Sequence, residues 1–266
     1  MAVGNLVERT EETLSSPEKE RRNLLIGING ATGVGKTTLA ELLKEKFEVK
    51  IFEEKFRQNP FLKKFYADPP RWSFLSQSFF IIEKIGQMAL LPELLKTEPG
   101  MVDPTDWQDS EIYAFVQYQM GWMSTEEYQT YLLLRKTLTM AKEIPSPDLV
   151  ISVHAPIEVI IQRIIERGRE YELWMLENYP DYFPSIAKRT EEWAQENLHK
   201  VPIIIVDAHK NNYADDPFGI YRVMTQIQTE VYERMGDTKE VILPEVFQSG
   251  GLFKDPRAGN LSKIMR

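Results

Sequence analysis

Apolar positions along the chain follow two periods. Short apolar runs at 24–28, 50–54, 101–103, 149–155 and 203–206 have the length and composition of buried strands. Between them apolar residues recur at helical spacing. This begins at Lys36 and runs through Leu39, Leu42, Leu43 and Phe47, then recurs over 73–95, 107–120, 125–143, 157–167, 182–198 and 218–235. Strand and helix alternate, which predicts an α/β fold with a five-stranded parallel sheet flanked by helices on both faces. In such sheets ligands bind at the carboxyl ends of the strands, so the polar residues there are the ones to examine.

The first strand runs directly into Gly30-Ala31-Thr32-Gly33-Val34-Gly35-Lys36-Thr37-Thr38. The G-x-x-x-x-G-K-T spacing, in strand–loop–helix order, is that of a phosphate-binding loop. Its glycines let backbone N–H groups converge on phosphate oxygens, and the following helix adds the partial positive charge of its N-terminus. Lys36 is expected to reach the β- and γ-phosphates of a nucleotide and Thr37 to ligate magnesium. Thr38 is a helix residue at the edge of that site, without a catalytic role.

Composition narrows the remaining choices. The chain has 266 residues, enough for one large α/β domain with extensions. A formal net charge of -8 argues against a nucleic-acid polymer as partner. No run approaches the roughly 20 apolar residues of a membrane span. The absence of cysteine rules out disulfides and thiolate chemistry and is compatible with a cytoplasmic protein. His154, His199 and His209 have no metal-ligand spacing. A charged, flexible extension is expected at 1–22, the functional domain at 23–235 and a C-terminal tail at 236–266.

Polar groups gather where the strands end. Phe52-Glu53-Glu54 closes the second strand and Val102-Asp103-Pro104-Thr105 the third, with Asp109 shortly after. Beyond the fourth lie Arg163, Arg167 and Arg169, the first two on a helix and the third past Gly168, where a movable loop is expected to begin. Alternation along the second strand turns Glu53 to the side opposite Glu54.

In order and spacing these features, together with Tyr66-x-x-x-x-Arg71-Trp72-Ser73-Phe74-x-x-Gln77, resemble the deoxyribonucleoside kinases over roughly residues 24–235. The resemblance implies a P-loop NTPase fold with an arginine-rich lid, ATP and magnesium as cofactors, and phosphorylation of a nucleoside 5′-hydroxyl. By the same likeness, Glu54 is the general base, Tyr66 and Glu172 hold the sugar 3′-hydroxyl, and Gln77 and Asp109 read the base. Phe74, Phe80 and Phe115 form an apolar lining, and Asp103 serves magnesium through water. Arg163, Arg167 and Arg169 close over ATP, and 205–208 precedes the loop that contacts adenine. A homodimer through helices packed on the sheet is also implied.

The match breaks at two positions. Pro104 stands where the family carries the arginine of an Asp/Glu-Arg-Ser motif, and Lys84 where it carries an arginine beside the base-reading aspartate. Lysine lacks the planar fork that pairs a carboxylate and a base edge together. The leading reading is an ATP-dependent nucleoside kinase. A catalytically silent nucleotide-binding homologue and a P-loop kinase for another small metabolite remain as alternatives.

Overall fold

The chain folds as the alternation its periodicity predicts. The computed structural model describes residues 21–53, 58–236, 241–244 and 247. The extension expected at 1–22 lies almost wholly outside these residues, as does most of the tail expected from 236. In chain order the strands are β1 (Arg22–Asn23), β2 (Leu25–Gly30), β3 (Lys50–Glu53), β4 (Gly100–Asp103), β5 (Leu149–His154), β6 (Ile203–Asp207) and β7 (Val241–Ile242). The α-helices are α1 (Lys36–Phe47), α2 (Leu62–Ala67), α3 (Pro69–Met88), α4 (Leu91–Leu94), α5 (Ala114–Gln119), α6 (Thr125–Ala141), α7 (Ile157–Arg167), α8 (Glu170–Asn178), α9 (Tyr182–Asn197) and α10 (Pro217–Met235), with a π-helical segment at Gln108–Tyr113.

Five strands form one parallel sheet in the order β3-β4-β2-β5-β6. The central strand β2 is buried at every position, and β4 likewise. This is why these strands read as continuous apolar runs rather than alternating ones. From β2 the chain crosses to β3 on one side, and from β4 it crosses to β5 on the other. The carboxyl end of β2 therefore sits where the winding reverses, and a crevice opens there between the diverging connections. The phosphate loop emerges at that point.

Several elements depart from the periodicity reading. The helix expected over 73–95 starts earlier, at Pro69, which a first helical turn tolerates. It ends at Met88 because Pro92 cannot donate the next helical hydrogen bond, and the short α4 follows. The single helix expected over 107–120 opens as a π-turn, with the Ala114 N–H bonded to the Asp109 carbonyl. No loop follows Gly168. That residue caps α7 in the left-handed region, at φ 66°, and α8 begins at Glu170. The movable loop expected there is thus a second helix.

The described part of the tail is seated on the body. β7 pairs in parallel with β1, the Leu24 N–H donates to the Ile242 carbonyl, and the fully buried Phe247 ring packs edge-on against Phe47 at the end of α1, 4.5 Å between centroids. Among the described residues no helix is long and apolar enough to cross a membrane.

Candidate active site

Two helix N-termini show why the phosphate loop is built to take an anion. At α6, Ser124 and Glu127 form a reciprocal capping box and satisfy the free backbone donors. At α1 there is no side-chain cap and no acidic residue in the first turn. Gly35 precedes it at φ 108° and Gly33 at φ 84°, in the region that favours glycine. With no side-chain cap, the first turn of α1 opens onto the cleft, and the helix dipole adds positive potential there.

Side chains fix the loop from several directions. The Lys36 Nζ donates to the carbonyls of Gly30 and Ala31, at 2.6 and 3.1 Å. The Gly30 N–H donates to Gln108 Oε1 at 2.6 Å. The hydroxyls of Thr32 and Tyr113 are 2.8 Å apart. From α7, Arg163 donates to the carbonyls of Val34 and Ala208, at 2.8 and 3.2 Å. Arg163 thus reaches back to the loop, whereas the two later arginines of the expected lid do not.

The cleft has a volume of about 540 Å³ and runs from this loop to a wall formed by α2, α3, the π-helical segment and α8. Of the predicted loop residues, Ala31, Thr32, Gly33, Gly35, Lys36, Thr37 and Thr38 line it; the Val34 side chain is fully buried in the core instead. Asp103, Tyr66, Gln77, Asp109, Glu172, Arg163, Arg167 and Arg169 line it as well. Sequence-distant predictions are therefore brought to one space. Glu54 lies outside the described residues. Glu53, read as pointing away, contributes to the cleft wall, and its carboxyl is raised above the usual range by burial and then by Glu41 on α1.

Charge on the acceptor wall is neutralised in pairs. Lys84 and Asp109 form an ion pair, with both residues more than nine-tenths buried. The Lys84 Nζ also lies 3.4 Å from the Thr105 carbonyl. Glu172, 2% exposed, accepts from Arg167 through Nε and Nη2 at 3.1 and 2.7 Å and from Arg169 at 3.3 Å. Gln77 is buried, and its Oε1 has no hydrogen-bond partner among the described residues, an arrangement that costs free energy unless a ligand supplies a donor. Tyr66 stacks at a tilt on Tyr171, 4.6 Å between centroids. Burial, followed by the nearby Tyr182 and Glu172, raises its phenol well above the ordinary range, so it stays protonated as a donor.

The apolar lining is only partly as expected. Phe80 lines the cleft, but Phe74 is half-buried against the apolar cluster of Leu25, Ile81, Ile85 and Met88, and Phe115 lies beneath the Arg189 guanidinium, 4.7 Å from its ring, against Tyr128. Helical aromatics more often pack against neighbouring side chains than face a ligand, and two of the three do so here. Gln108, Tyr113, Tyr171, Tyr182 and Tyr213 line the cleft without having been singled out. Gln108 and Tyr113 flank Asp109 in sequence. Had the segment been read with a wider helical pitch, their shared face would have been visible.

A phosphate loop at the switch point of a parallel sheet, with a polar acceptor wall facing it, defines a P-loop NTPase fold equipped for phosphoryl transfer. Comparison with known proteins narrows this. The deoxynucleoside kinase family matches residues 26–232. A deoxyadenosine/deoxycytidine kinase of Bacillus subtilis (strain 168) is 30% identical over 213 residues, which cover 80% of this chain and 95% of that protein. A deoxyguanosine kinase of the same organism is 26% identical over 76% of this chain and 95% of its own length. Among solved structures, a deoxyadenosine kinase from M. mycoides with bound dCTP superimposes with a TM-score of 0.64 at 25% identity, covering 77% of this chain and 98% of that one. The chain belongs to the deoxynucleoside kinase family. It is an ATP-dependent nucleoside kinase, and nothing in these likenesses favours a silent subunit or a kinase for another metabolite.

Proposed function

We propose that this kinase binds MgATP on the 30–38 loop and transfers the γ-phosphoryl to the 5′-hydroxyl of a deoxynucleoside held against α3, the π-helical segment and α8. The observation that carries this reading is the shared cleft in which the uncapped end of α1 and Lys36 face a wall of hydrogen-bonding side chains. Lys36 and the loop N–H groups hold the β- and γ-phosphates. Thr37 and Asp103, both on the cleft, are the residues to hold magnesium, which when bound neutralises charge on the phosphates. Among the described residues no three His, Cys, Asp or Glu side chains cluster as a dedicated metal cage, and a metal shared with substrate phosphates needs none.

Glu54 orients the 5′-hydroxyl and accepts its proton. Tyr66 and Glu172 hold the sugar 3′-hydroxyl. Gln77 and Asp109, the latter set by Lys84, read the base. Arg163, Arg167 and Arg169 supply positive charge toward the transferred group and exclude water.

We take 23–235 as the kinase domain, with 1–22 and 236–266 as extensions, and place its work in the cytoplasm with no nucleic-acid polymer or membrane as partner. A homodimer forms through the packed pair α3 and α6. Leu75 and Ile82 on one helix and Leu133 and Met140 on the other are 41 to 69% exposed and repeat about two turns apart along each. Sedimentation of the purified chain checks the dimer; a concentration-independent monomer overturns it.

The activity test is MgATP-dependent phosphorylation of the four deoxynucleosides, their ribose counterparts and the monophosphates, with products identified by mass. A 5′-monophosphate from at least one deoxynucleoside is expected. Glu54→Gln should then abolish turnover while sparing ATP binding; normal turnover would remove Glu54 from the mechanism.

A further inference from the structure

Beyond these roles, the loop after β6 bears directly on the phosphate site. Asp207 accepts from the N–H groups of His209 and Lys210 at 3.0 and 2.9 Å, and the Asn211 N–H bonds the Asp207 carbonyl at 3.2 Å. The Ala208 N–H is tied to the His154 carbonyl at 2.8 Å, and the Asp216 N–H to that of Asn212 at 2.9 Å. The turn is thus braced at both ends, and it presents one large side chain inward. Tyr213 is 5% exposed, lines the cleft, and its hydroxyl donates to the Gly35 carbonyl at 3.1 Å.

That carbonyl already accepts the first helical bond of α1, from the Leu39 N–H at 3.1 Å. Both its lone pairs are therefore engaged. The neighbouring carbonyl, of Val34, is held by Arg163. In a planar trans peptide the C=O and N–H point in opposite directions, so holding the carbonyls of Val34 and Gly35 fixes where the N–H groups of Gly35 and Lys36 point. Those are two of the loop donors that face the cleft. Donation to a carbonyl also polarises its own peptide and strengthens the N–H as a donor.

We propose that Tyr213 is a positioning residue for the phosphate loop: its hydroxyl latches the Gly35 carbonyl and thereby preorganises the Lys36 N–H, and with Arg163 the Gly35 N–H, for the nucleotide phosphates. Tyr213 couples the turn after β6 to the donor site without itself needing to touch the reacting atoms. Burial pushes its phenol above the ordinary value of 10.0, so the proton that makes the latch stays in place across the working range. The space agrees with a close fit, since a Cβ on Gly35 would meet the Tyr213 hydroxyl oxygen at 2.9 Å.

The inference rests on the MgATP site proposed above, and the test separates the two. Binding of a non-hydrolysable ATP analogue with magnesium is titrated calorimetrically into the full chain and into Tyr213→Phe, which keeps the ring and its core packing. Thermal melting without ligand and the KM for the nucleoside are measured in parallel. One hydrogen bond's worth of preorganisation predicts that Tyr213→Phe binds the analogue about fivefold more weakly, with nucleoside KM unchanged and ligand-free melting lowered by no more than the loss of one hydrogen bond. Analogue affinity equal to that of the unaltered chain overturns the latch while leaving the kinase reading intact, and so does a lowered melting temperature with unchanged affinity. If the unaltered chain binds no nucleotide, the donor-site reading itself fails and takes the latch with it.

Discussion

The two walls of the cleft are built on opposite principles. The donor wall is mostly backbone: glycines at positive φ, an uncapped helix end and carbonyls held from behind by Arg163 and Tyr213. The acceptor wall is mostly side chain, and its buried carboxylates are paired in place, Asp109 with Lys84 and Glu172 with Arg167 and Arg169. The difference follows from what each must recognise. Triphosphates differ little in their phosphates, so a fixed array of N–H groups suffices. Nucleosides differ at the base edge, and only side chains can be exchanged to suit each one.

It follows that breaking the Lys84–Asp109 pair of the acceptor wall should cost stability before chemistry, and changes on the donor wall the reverse. The largest stability effect is expected at Lys84→Met, which leaves Asp109 buried without its cation and should lower unfolding free energy by about 3–5 kcal/mol. Adding Asp109→Leu should recover most of that loss, and urea denaturation of the single and double variants is the check. Full retention of stability in Lys84→Met would mean the pair is not buried in solution.

On the donor wall Lys36→Ala should reduce kcat/KM by on the order of a hundredfold or more while urea stability hardly moves. Steady-state kinetics beside denaturation would expose a structural role if both fell together. A smaller and more selective effect is expected at Glu172→Gln. Loss of a charged acceptor for the sugar hydroxyl should raise the KM for the deoxynucleoside about tenfold, equivalent to about 1.4 kcal/mol, and leave the KM for ATP unchanged. If ATP were the substrate affected, the division of the cleft into two walls would not hold at α8.

The smallest effect concerns the strand beneath the donor wall. His154, at the end of β5, has its pKa lowered below the ordinary 6.5 by burial, against the opposing charges of Glu191 and Asp207. A depressed histidine is protonated more readily in the unfolded chain, so its stabilisation is complete above 6.5 and is lost as pH falls below it. His154→Gln should flatten the decline of melting temperature between about pH 7.5 and about pH 5.5 by less than about 1 kcal/mol equivalent. An unchanged slope would assign the decline to other groups.

Legibility in sequence tracked the same division. The phosphate loop could be placed residue by residue because glycine and lysine at that spacing have a specific geometric use. Gln77, Asp109 and Glu172 were reached through resemblance, and the structure puts each on the cleft. Phe74 and Phe115 were misassigned, since an apolar residue on a helix looks the same whether it faces a ligand or the core. Tyr171 and Tyr182 gave no sign, being ordinary aromatics until α8 and α9 turn them inward. The expected loop after Gly168 failed for a related reason: a left-handed glycine ends one helix but does not forbid another from starting just beyond it.

By itself, and apart from the class of reaction, which only the family resemblance implied, the sequence determined the strand–helix alternation, the five-stranded parallel sheet and the nucleotide loop. Each is written in local spacing, where residue type dictates backbone conformation directly. Tertiary structure alone decided which charges neutralise one another, that Arg163 faces the loop from behind, and that Tyr213 meets Gly35 from the far end of the chain. Those contacts join residues separated by most of the fold, and no local pattern encodes a partner that only the winding of the sheet brings within hydrogen-bond reach.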